Sequence, residues 1–107
     1  MTEFLVEFYL SRTDTAALHR SVRRARLAAE EQTRRGMPVR YLRSIYVPED
    51  ETCFLLYEAK SAEAVRRAAA LAALTFERVS EVAGDTQPGD GLAADNPEGN
   101  TRDSSAW

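Results

Sequence analysis

His19, Cys53 and a set of tyrosines, arginines and glutamates are the side chains of this 107-residue chain that could do chemistry. His19 is the only histidine and Cys53 the only cysteine. Histidine is the commonest metal ligand, but one alone makes no site. At the edge of an apolar helical stripe, His19 reads more simply as a solvated or half-buried structural residue. Cys53 falls on the side of its strand expected to face helices, where cysteine acts as an inert small hydrophobe. There is no histidine–cysteine cluster, no Gly-rich phosphate loop and no serine–histidine–acid set. No catalytic residue can be named, and the residues favour a binding protein over an enzyme. What remains is Glu7, Tyr9, Tyr41, Arg43 and Glu58, which strand alternation expects on one sheet face. They could line a partly polar pocket for a small ligand, and an anion would match Arg43. The plainer reading is an interfacial salt bridge among packing aromatics.

The elements that must position these residues are legible in order. Glu3–Leu10 alternates with period two, with Phe4, Val6, Phe8 and Leu10 on one side and Leu5, Glu7 and Tyr9 on the other, which predicts a strand. Thr13 or Asp14 can cap a helix over about residues 15–35. Leu18, Val22, Ala25 and Ala29 make its apolar stripe, and Glu30–Arg34 and Glu31–Arg35 are i,i+4 pairs in the favourable order. Its many arginines read as a solvated face. Gly36 suits a left-handed terminating position and Pro38 prevents continuation. Val39–Val47 and Thr52–Ala59 are two further strands joined by a four-residue turn, Pro48 to Glu51. Val47 then opposes Thr52, Arg43 opposes Leu56 and Tyr41 opposes Glu58. Ser61 caps a second, alanine-rich helix running to about Leu74. Phe76–Val82 is a last short strand.

Strand, helix, strand, strand, helix, strand is the split βαβ order. It predicts an α+β, ferredoxin-like fold: a four-stranded antiparallel sheet with both helices on one face. Leu42, Ser44, Tyr46, Cys53, Leu55 and Tyr57 should face the helices. Leu5, Glu7, Tyr9, Tyr41, Arg43, Ile45, Phe54, Leu56 and Glu58 should form the open face, with Arg43 diagonal to Glu58 and close enough to pair. A patch this apolar is rarely left wet. A homodimer through the open sheet face is therefore expected, with two-fold symmetry the default.

Composition narrows the function classes. The domain spans residues 1–83. Residues 84–107 hold four of the five glycines, Pro88 and Pro97, and read as a loose acidic tail ending in Trp107. Asp85, Asp90, Asp95, Glu98 and Asp103 against Arg102 give that tail −4, which leaves about +1 for residues 1–83. A nearly neutral domain gives no electrostatic case for nucleic acid. An RNA-recognition domain shares the element order, but CFLLYE has neither the glycine nor the basic residue expected of its third strand. Acylphosphatase-like and heavy-metal-associated domains share the order too, without their N-terminal loop motifs here. No apolar run is long enough for a membrane span. A single cysteine and an N-terminus unlike a secretion signal lead to a cytoplasmic expectation.

The segment VRYLRSIYVPEDETCFLLYEAKSAEAVRRAAALAALTFERVSEV resembles the small nickel-binding-like family also called DUF4242. Members carry V-x-W-x-x-S-Y, a charged turn, C-x-Y-E-A and a helix ending before G-L-P. Tyr41 stands at the tryptophan position, Ser44 at the serine, and Leu55, Tyr57, Glu58 and Ala59 at the C-x-Y-E-A positions. The resemblance covers roughly residues 3–82 and implies a ferredoxin-like dimer with nickel as cofactor. Yet Arg43 stands where many members have histidine, Leu55 where they have cysteine and Ala68 where a second-helix histidine is common. Ala73 and Thr75 replace the Gly and Pro of G-L-P. Arginine cannot shed its proton to bind a metal. The expectation is a small ligand-binding homodimer with the metal site altered or lost and no cofactor of its own. Nickel or other transition-metal binding is the first alternative. A cofactor-free enzyme like the dimeric α/β-barrel monooxygenases, which share the strand order, is the second.

Overall fold

Alternation makes the first strand, β1 (Thr2–Tyr9), in this computed structural model, which describes residues 1–83. Phe4, Val6 and Phe8 are buried on one side, while Leu5 and Glu7 are half-buried on the other. The strand ends at Tyr9, and in the turn that follows the Ser11 hydroxyl meets Thr13 at 2.9 Å. Asp14 then caps α1 (Thr15–Arg34), its carboxylate accepting from the Ala17 N–H at 3.1 Å. The buried face of α1 is small: Ser21, Ala25, Ala28, Ala29 and Gln32. Small residues let the helix lie close to the sheet. β2 (Val39–Val47), a 3-10 turn at Pro48–Asp50 and β3 (Thr52–Ala59) form the expected hairpin. Ser61 caps α2 (Ala62–Leu71) by accepting from Ala64 N–H, and β4 (Arg78–Val82) closes the fold.

The sheet order is β2-β3-β1-β4, every neighbouring pair antiparallel. β1 and β2 are parallel with β3 between them, as a crossover helix requires. Both helices cover one face, giving the ferredoxin-like α+β arrangement. The core lies between, built on Val6, Leu55, Tyr57, Cys53 and Val65 with the alanines of both helices. Gln32 bridges the helices inside it, its side-chain amide donating to the Ala64 carbonyl at 2.6 Å. That bond satisfies an otherwise costly buried amide.

Two helices end in the same way. At α1, Met37 N–H donates to the Gln32 carbonyl and Gly36 N–H to Thr33, with Gly36 at φ +96°. At α2, Leu74 N–H donates to Ala69 and Ala73 N–H to Ala70, with Ala73 at φ +60°. Both are Schellman closures. The second uses an alanine where the chain conformation favours glycine.

The hairpin register corrects one expectation. Val47 opposes Thr52 and Arg43 opposes Leu56 as expected. Between Arg43 and Tyr41 there is a bulge, so Tyr41 opposes Tyr57 and Arg40 opposes Glu58. The extra residue inverts the parity of everything before it. Tyr41 therefore packs on the helix side, against the core, and not on the open face. Leu42 is the extra residue; it is half-buried but is not part of the core packing that was expected of it. Small boundary shifts also occur: β1 ends at Tyr9, α2 at Leu71, and β4 begins at Arg78. The tail assigned to residues 84–107 lies outside the described residues.

Candidate functional site

The open sheet face carries four of the five residues singled out from the sequence. Leu55 and Tyr57 are buried toward the helices, so Leu56 and its partner Arg43 stand on the opposite side. Glu7 and Tyr9 follow from β1 and Glu58 from β3 by the same alternation. Around them are Leu5, Phe54 and Leu56, all half-buried, and Ile45 and Tyr9, which are 37% and 61% exposed. This is an apolar surface with charges set into it.

The charges pair differently from expectation. Glu58 accepts from Arg40 at 3.2 Å, its direct cross-strand partner after the bulge. Glu7 accepts from Arg78 on β4 at 2.9 Å. The Arg43 side chain is exposed and has neither ion pair nor hydrogen bond among the described residues. The expected diagonal between Arg43 and Glu58 is absent because the bulge brings Arg40 opposite Glu58. Among the described residues Arg43 is thus an unpaired cation beside aromatic and aliphatic side chains.

Tyr41 belongs to a second place, at the edge where α1 meets β2. The Arg26 guanidinium lies over its ring, 5.5 Å from the centroid. The Tyr57 ring meets it in an edge-on arrangement, with centroids 5.8 Å apart. Tyr57 is fully buried and its hydroxyl has no hydrogen-bond partner among the described residues. Burial, and then the neighbouring Tyr41, push its phenol well above the usual tyrosine range. Tyr41, Arg26, Glu30 and Arg40 line a cavity of about 450 Å³ floored by Ala29 and Val39. Sequence reasoning missed Arg26 and the cavity. One signal was present: burying Val39 puts Tyr41 in phase with it and out of phase with Ser44 and Tyr46, which demands one extra residue.

The donors for a metal do not assemble within the described residues. His19 is exposed on α1. Cys53 is fully buried, and burial pushes its thiol up to about 11, so it stays protonated at neutral pH. No three of histidine, cysteine, aspartate and glutamate come together there. Leu55 and Ala68 are both fully buried in the core, on the opposite side of the sheet from Arg43. The positions that the resemblance marks as ligands therefore face two different places. The residues present do not fit a single-chain nickel centre.

Among the described residues no helix is long and apolar enough to cross a membrane. The fold and the comparisons agree. Among solved structures the chain is similar to SCO4226 from Streptomyces coelicolor A3(2), with a TM-score of 0.65 and 20% identity over 78% of this chain and 99% of that one. That likeness carries the fold. No curated protein matches the chain. A family model described as nickel responsive protein, SCO4226-like, matches residues 4–82. The chain belongs to the SCO4226-like family of nickel-responsive proteins.

Proposed function

We propose that this protein is a small, cytoplasmic, non-enzymatic homodimer that packs open sheet face on open sheet face and has lost its family's metal site. The observation that carries this is Arg43. It stands without an ion pair among the described residues, amid Leu5, Ile45, Phe54 and Leu56, on a surface too apolar to leave wet. Two copies related by a two-fold axis would cover that surface and bring two guanidiniums close together. Those cations, with Tyr9, Glu7 and Glu58 beside them, would hold a small anionic ligand rather than a cation. Titration calorimetry of tag-free protein with nickel tests the metal side. The reading expects no heat at tens of micromolar. Stoichiometric binding there would replace it with the family's nickel reading, which the family match alone favours.

A further inference from the structure

Three features converge on Tyr41. The bulge after it breaks the β2–β3 ladder. The hydroxyl of the neighbouring Tyr57 is buried without a partner among the described residues. The Arg26 guanidinium above it has no carboxylate within ion-pair distance among the described residues, although Glu30 lies one helical turn away. The bulge and the unpartnered hydroxyl each cost stability, and such features gather where a site has been shaped. What they shape is the cavity between α1 and the β2 edge. Its volume of about 450 Å³ is within the size range of small-molecule sites. Ala29 and Val39, each 3% exposed, give it an apolar floor. Thr33 is already committed, its hydroxyl donating to the Val39 carbonyl and accepting from the Val39 N–H. Arg34 and Arg40 are held by Glu31 and Glu58. Arg26 is therefore the one guanidinium on the wall without an ion pair among the described residues, and it lies over an aromatic ring.

We propose that this cavity binds a small organic anion, a carboxylate or phosphoryl group carried on a compact apolar body, with Arg26 taking the charge and Tyr41, Ala29 and Val39 taking the body. Guanidinium pairs with such oxyanions in a bidentate fork and keeps its ring stacking while doing so. The bulge has a role here: it turns Tyr41 from the open face into the cavity wall. The site is on the helix side, so it does not depend on how the open face is covered.

The full 107-residue protein is titrated with benzoate, phenyl phosphate, inorganic phosphate and benzylammonium, followed by nitrogen NMR of the Arg26 side chain and the backbone. Saturable binding of benzoate or phenyl phosphate is expected, with shifts centred on Arg26, Thr33 and Tyr41, and none with benzylammonium. Arg26→Gln is an exposed change and should weaken binding by about tenfold or more at unchanged melting temperature. Arg66→Gln, an exposed change on α2 outside the cavity, should leave the affinity as it was. No saturable binding of either organic anion up to about 10 mM would overturn the proposal. So would equal binding to the Arg26→Gln protein, shifts centred on Arg43, or inorganic phosphate binding as tightly as phenyl phosphate.

Discussion

Glu58 holds Arg40, at 3.2 Å, and leaves Arg43 on the same strand without a carboxylate among the described residues. The bulge between Tyr41 and Arg43 produces this choice, because it slides Arg40 opposite Glu58. The pair is worth little in itself: the Arg40 side chain is 72% exposed. Glu58→Gln should change stability by less than about 1 kcal/mol in a denaturant titration. A loss several times larger would mean that Glu58 is anchored by more than Arg40.

The two helix ends make opposite predictions. Ala73 sits at φ +60° in a closure that favours glycine. Ala73→Gly should stabilise the protein by about 0.5–1 kcal/mol, as relief of the left-handed strain exceeds the added backbone entropy. At Gly36 a Cβ would meet nothing within 4 Å, so only the backbone is strained by a substitution. Gly36→Ala should destabilise by about 1 kcal/mol. Urea midpoints of the two variants should move in opposite directions.

Tyr57→Phe removes a buried hydroxyl that has no partner among the described residues. Deleting it should leave stability unchanged or raise it by up to about 1–2 kcal/mol. Tyr57→Ala, which empties the centre of the core, should cost about 3–5 kcal/mol. Thermal unfolding separates the two. A large loss in the phenylalanine variant would show that the hydroxyl is bonded after all.

Alkaline pH should unfold this protein early, through Cys53. Burial holds the folded thiol near 11, above its ordinary 9.0. The unfolded chain therefore gives up this proton first as pH rises. Stability is complete below the ordinary thiol value and falls as pH climbs toward the folded one, by about 2–3 kcal/mol over the window. Tyr57, also raised, adds to the decline at higher pH. Cys53→Ala should reduce the slope between pH 9 and about pH 10, where the thiol contributes most and the raised Tyr46 and Tyr57 contribute less. An unchanged slope would remove Cys53 from the explanation.

The fold was legible because local signals agreed with one another. Alternation in β1, the caps at Asp14 and Ser61, Gly36, and the charged turn after Val47 each do locally what the topology needs. The site was legible only in part. Glu7, Tyr9, Arg43 and Glu58 follow from period-two counting outward from the turn, which holds as far as Arg43. A one-residue bulge then changes the face of every earlier position, and no propensity in Tyr41-Leu42-Arg43 marks it. Ion-pair choice fails for the same reason. Arg26 was read with its neighbours as a solvated face, because a cation over an aromatic ring depends on where the helix lies and not on its own spacing.

The central claim is that the face bearing Arg43 and Leu56 is covered by a second copy. Sedimentation equilibrium of the full chain, with Leu56→Asp alongside, tests it most directly. The account predicts twice the 11.9 kDa chain mass for the native protein and the single-chain mass for the variant, with the variant still folded. A native protein that stays at 11.9 kDa up to about a hundred micromolar, or a variant that dimerises as well as the native chain, would contradict it.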